Sequence, residues 1–133
     1  LKGIFRLCSR VTPETEIGLR ENLTYILSHV LRRRENADID EDSCSTIARF
    51  ILECAPATED NLKISALRVV SNVPQAFDRP ATVLNLIKIR LDDNDCLIRI
   101  HSFYTMIQLL RTHHDFNYRS TLVHPLLPKI LEV

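Results

Sequence analysis

His113–His114–Asp115 is the densest gathering of side chains that could hold a metal or move a proton. Neighbouring residues on a helix point about 100° apart, so the two imidazoles cannot readily share one ion. The run is expected as a polar turn at a helix end. His101 and His124 lie on other segments, with no carboxylate at a telling spacing. Asp92, Asp93 and Asp95 resemble a calcium loop only in charge, because the glycine and the distal bidentate Glu of such a loop are missing. Cys8, Cys44, Cys54 and Cys96 are scattered, form no C-x-x-C pair and have no His at a zinc-ligand offset from a Cys pair. They read as reduced, buried thiols of an intracellular protein, with cytoplasm and nucleus not distinguished. Two glycines allow no Gly-rich phosphate loop, and neither a nucleophile elbow nor H-E-x-x-H is present. The side chains thus point to no enzyme, no cofactor and no metal.

Basic residues offer binding rather than catalysis. Arg32–Arg33–Arg34 is the densest cluster, at the end of a helical segment where cations suit the unpaired carbonyls. Glu35, Asp38, Asp40, Glu41 and Asp42 follow directly and would neutralise it. Nucleic-acid affinity needs several uncompensated phosphate contacts, so phosphate binding by these three arginines is the alternative function and not the leading one. No array of exposed aromatics stands ready to stack bases. Lys plus Arg and Asp plus Glu both total 17, so no global field selects nucleic acid or an anionic membrane. No apolar run approaches the roughly 20 residues needed to span a bilayer.

The elements that must position these residues are helices. Among 133 residues, 45% are apolar and 26% charged, enough for one domain with a real core. Apolar residues recur at three and four, and no stretch alternates cleanly with period two. Residues 1–9 read as a first helix. Thr12–Pro13–Glu14 reads as the start of a second, with Thr as cap and Pro in the first turn, running to about Arg33. Further helices are expected at 43–55, 59–73, 80–91 and 95–111. The last, at 118–131, must kink or split at Pro125 and Pro128. Connections are short apart from 34–42, so successive helices should pack antiparallel.

Three of these helices align on an apolar–basic pair: Leu19–Arg20, Leu62–Lys63 and Ile98–Arg99, with offsets of 43 and 36 residues. Three positions after each basic residue stand Leu23, Ala66 and Ser102, then Leu27, Val70 and Met106, then Val30, Val73 and Leu109. Such spacing is that of two-helix repeats. With Asp93 in the turn five positions before Ile98, then Arg99 and Ser102, the third unit resembles the HEAT repeat and, more loosely, the armadillo repeat. The second unit has Ala57 at the acidic position and Lys63 for Arg. The first has Glu14 and Arg20 but a larger Leu23. The resemblance implies an all-α solenoid, a right-handed stack of antiparallel hairpins over about 1–34, 43–74 and 80–111, plus the helix 118–131, in one domain 1–133.

Such an architecture predicts a non-catalytic scaffold or adaptor that binds protein partners. Arg20, Lys63 and Arg99 should form a column, either a strip for an acidic segment of a partner or, as the resemblance implies, a ladder to acids in neighbouring turns. A solenoid buries each unit against its neighbours, and the 118–131 helix has no second helix of its own. Leu122, Leu126 and Ile130, beside Val123, Leu127 and Leu131, give it a wide apolar face. It is expected to pack on 95–111 with one side and to leave the other for further repeats, another chain or self-association. The first residue, Leu1, fits a fragment of a longer solenoid.

Overall fold

A computed structural model describes residues 2–31 and 39–132. Among them all regular structure is helical, with no strand. The chain is an all-α solenoid of HEAT-like helix pairs. Its helices are α1 (Lys2–Arg10), α2 (Ile17–Val30), α3 (Glu41–Arg49), α4 (Asp60–Asn72), α5 (Pro80–Leu91), α6 (Cys96–Thr112), α7 (Phe116–Val123) and α8 (Leu127–Leu131).

Helix starts follow side chains that capture the unpaired N–H groups of the first turn. Asp40, Asp95 and Asp115 cap α3, α6 and α7 by accepting from the N–H of Ser43, Leu97 and Tyr118 at 2.7, 2.8 and 3.0 Å. Pro80 opens α5, where its missing N–H costs nothing. The start of α2 differs from the sequence expectation. Thr12 to Thr15 form a separate turn, closed by Thr15 N–H on the Thr12 carbonyl at 3.0 Å. The cap is instead Glu16, whose carboxylate accepts from Gly18 and Leu19 N–H at 2.9 and 3.0 Å. A Cβ on Gly18 would lie 2.9 Å from that carboxylate, so a side chain there would make the Glu16 carboxylate shift.

Helix α3 runs on into a π-helical turn, Phe50–Cys54, before Pro56 ends it. Phe50, Ile51 and Cys54 of this turn all enter the core. Pro125 does split the last helix: a 3₁₀ turn, His124–Leu126, joins α7 to α8.

The helices form two layers. The first helices of the pairs lie together, α1 against α3, α5 against the π-helical turn after α3, and α7 against α5. The second helices form the other layer, α2 against α4 and α4 against α6. Leu27, Phe50, Val70, Phe77, Ile87 and Leu109 fill the core between them, at most 1% exposed. The chief neighbour of α7 is therefore α5 and not the 95–111 helix, because a new first helix stacks on the preceding first helix. Contact with α6 is made by Arg119, which donates to the Leu110 carbonyl at 2.6 Å.

Candidate protein-binding surface

The aligned basic residues sit at the turn end of the second helices, and each is bonded to a turn. Arg20 donates from Nε to the Thr15 carbonyl at 2.8 Å and from Nη1 to the Cys54 carbonyl, in the next unit, at 3.3 Å. Lys63 Nζ lies 3.1 Å from Asp93 Oδ2, also in the next unit, and 3.4 Å from Asp60. Arg99 Nη1 donates to the carbonyls of Asp93 and Asn94 at 2.8 and 3.0 Å. Asp93 is the pivot: its other oxygen accepts from Asp95 N–H at 2.9 Å. That backbone bond, then the Lys63 ammonium, holds its carboxyl below the usual carboxylate range. The Asp93 bond in turn raises Lys63 above the ordinary lysine value.

Leu122 and Leu126 are fully buried, and Ile130 is half-buried against the core. The exposed apolar side chains of that segment are Leu127 at 39% and Leu131 at 80%. Arg32, Arg33 and Arg34 lie outside the described residues.

His113 belongs to a corner rather than to a site for an ion. Its Nε2 lies 2.9 Å from the Pro74 carbonyl, and its ring stacks on Tyr118 at 4.1 Å. The Tyr118 hydroxyl donates to the Phe77 carbonyl at 2.6 Å, and burial raises its pKa above the ordinary tyrosine value. Among the described residues no three His, Cys, Asp or Glu side chains gather as a metal site would require. Burial pushes the Cys8 thiol up to about 11 and raises Cys44 as well, so neither is a ready nucleophile at neutral pH. A cleft of about 700 Å³ opens on the first-helix layer, between α3 and the start of α5, over Ala48, Leu52 and Phe77. Glu41, Asp78 and Arg79 at its edge give it mixed charge and no convergent chemistry.

The same alignment that finds the basic residues finds another row, five positions further along each helix: Tyr25, Arg68 and Tyr104. Tyr25 and Tyr104 are 54% and 53% exposed. Arg68, between them, is half-buried, and its guanidinium has no hydrogen bond or ion pair among the described residues. Its charge reaches His101, whose pKa is lowered by burial and then by Arg68. Tyr25 holds its ring edge-on to His29, centroids 4.4 Å apart. Two amphipathic rings flanking a cation is the composition enriched where protein surfaces bind.

Compared with known protein families, residues 15–133 match the one described as IPO5-like, TPR repeats. The chain belongs to this importin-5-like family of helical repeats. Neither the comparison with curated proteins nor that with solved structures finds a match. The family match covers α2 to α8 and leaves α1 outside it. Both rows of the second-helix layer fall within it. Sequence inspection picked the basic row because charge at one register stands out. The Tyr–Arg–Tyr row changes residue type at each step, and its signal was the shared register alone.

Proposed function

We propose that this importin-5-like domain is a non-catalytic adaptor that binds an extended segment of a partner protein along its second-helix layer. Importin-like repeats bind protein partners, which sets the class. The observation that carries the reading is the row Tyr25–Arg68–Tyr104, its two rings exposed and its half-buried guanidinium without an ion pair among the described residues, while Arg20, Lys63 and Arg99 are engaged at the turns. Packed helices lie about 9 Å apart, so the row spans roughly 18 Å, the length of about five or six residues of extended chain. The segment that fits has an acidic residue for Arg68, with apolar or aromatic side chains on either side to lie on the two rings. Once a partner excludes water, an ion pair with Arg68 gains strength. Arg20, Lys63 and Arg99 then act as the frame that fixes the spacing of the row, and contribute to partner binding only at its margin. Among the described residues no helix is long and apolar enough to cross a membrane.

Charge reversal tests this. An array of short peptides with one acidic residue between apolar flanks should bind the wild-type chain. Arg68→Glu should lose those peptides and gain ones with Lys at the same place. Binding that ignores Arg68→Glu, Tyr25→Ala and Tyr104→Ala alike would remove the row from the function.

A further inference from the structure

His101 stands three residues before Tyr104 on α6, at the register that Asn22 and Ser65 occupy on α2 and α4. Residues three apart on a helix share a face, so the imidazole belongs to the same ridge as the ring. The Thr105 hydroxyl fixes how α6 meets α4. It lies 2.8 Å from the His101 carbonyl and 3.3 Å from the Leu67 carbonyl. Arg68 follows Leu67, so its guanidinium and the His101 imidazole come from adjoining turns of two packed helices. Both side chains are half-buried, and neither makes a hydrogen bond or ion pair among the described residues.

Two groups that can each carry a positive charge thus share one stretch of the ridge. The guanidinium keeps its proton throughout, so the imidazole is the one that yields. Burial, and then the Arg68 charge, hold it below the ordinary histidine value. The other charged groups on elements packed against α6 are Asp60 and Lys63 of α4, paired with each other, and Lys88 and Arg90 in the last turn of α5. The turn Pro74–Ala76 contributes none. On α6 itself Arg99 is bonded to turn carbonyls, and Arg111 lies in the last turn.

We propose that His101 is a second contact for the acidic residue of the partner segment and that binding at the ridge takes up a proton there, an inference that rests on the ridge being the binding surface. A carboxylate set beside Arg68 cancels the repulsion that keeps the imidazole neutral and draws a proton onto it from water. One carboxylate oxygen then accepts from the guanidinium and the other from the imidazolium N–H, both charge-assisted. The complex holds its proton to a higher pH than the free ridge does. Affinity is therefore independent of pH above both values, rises as pH falls between them, and levels off below both.

The probe is a capped peptide with one acidic residue between apolar flanks and no histidine, so that its carboxylate stays ionised from about pH 8 down to 5.5. Its affinity for the 133-residue protein should strengthen over that range, by up to about tenfold for each unit that binding raises the histidine. His101→Gln should flatten the dependence, with the loss of affinity largest at the acid end. Proton resonances of the imidazole in the wild-type chain should titrate at higher pH with peptide bound than without. Arg68→Gln should raise the free value in the same way. An affinity flat with pH while Arg68→Gln still abolishes binding would overturn the role of His101 and leave the ridge in place. A slope that survives His101→Gln, or that is removed by His29→Gln instead, would overturn it too. Binding indifferent to Arg68→Gln, or none at all, would overturn both the ridge and its proton.

Discussion

Two rows of side chains run across the same three helices, five residues apart in sequence, and they have opposite fates. At the turn end, Arg20, Lys63 and Arg99 are bonded to carbonyls and carboxylates of adjoining turns. On the ridge, Tyr25 and Tyr104 stand half out of the protein around Arg68, whose guanidinium has no ion pair among the described residues. A cation at a repeat register is thus no guide to binding by itself. What separates the rows is whether a turn, of the same unit or the next, supplies an acceptor within reach. A bonded cation has surrendered hydration for a fixed internal partner, and a ligand must compete with that partner.

The largest effect on this comparison should come from between the rows. Ser102 is fully buried and donates to the Ile87 carbonyl at 3.1 Å, where α6 meets α5. Ser102→Leu should overpack that contact and destabilise by about 1–3 kcal/mol, read as a lower denaturant midpoint. Both rows would move together, so binding should fall with stability. An unchanged midpoint would mean that the two helices approach less closely than the repeat register requires.

Next in size is the pivot of the turn row. Asp93→Ala removes the acceptor of Lys63 and of the Asp95 N–H at once, and should lower the melting temperature clearly at neutral pH. Its pH dependence has a definite sign. The folded-state value of Asp93 is depressed, so its contribution is complete above the ordinary carboxylate value of 3.8 and is lost as pH falls through the lower folded value. Lys63 is raised, so its contribution holds below the ordinary 10.5 and is lost only as pH climbs through the higher folded value. Asp93→Asn should therefore flatten the acid side of the stability profile and leave the plateau between about pH 5 and 9 without slope from this pair. An acid limb as steep in the variant as in the wild type would show that Asp93 is not held by these partners.

The smallest stability effects belong to the ridge. Tyr25→Ala and Tyr104→Ala remove exposed rings and should stay within about 0.5 kcal/mol of wild type. Either should weaken peptide binding nonetheless, since truncated aromatics at such positions cost affinity. A large loss of stability from either would reassign the ring to the packing of its helix.

Helix periodicity carried most of the architecture in the sequence, because burial of a stripe against the next helix is encoded by spacing alone. Local capping was less legible. Thr12–Pro13–Glu14 reads as a helix start, yet Glu16 captures two N–H groups, which puts the start at Ile17. The C-terminal segment shows a different limit. Its many apolar residues are plain in the sequence, but their spacing does not say that Leu122 and Leu126 are buried while Leu127 and Leu131 stay outside. Sidedness depends on the 3₁₀ turn at His124–Leu126, which rotates α8 relative to α7 by an amount no periodicity records. The Tyr25–Arg68–Tyr104 row was hidden for another reason: its members share a position and an exposure but not a residue type.

The most direct measurement pairs one arginine from each row. Arg68→Gln and Arg99→Gln remove the same charge, and each variant is assayed for thermal stability and for binding of the acidic peptide. Arg68→Gln should melt with the wild type and bind at least about tenfold more weakly, the loss of one charged hydrogen-bonded pair. Arg99→Gln should lose about 1 kcal/mol of stability, from its bonds to the turn carbonyls, while keeping its affinity. Affinity lost in Arg99→Gln and kept in Arg68→Gln would contradict the account, making the turn row the binding surface and the ridge its support.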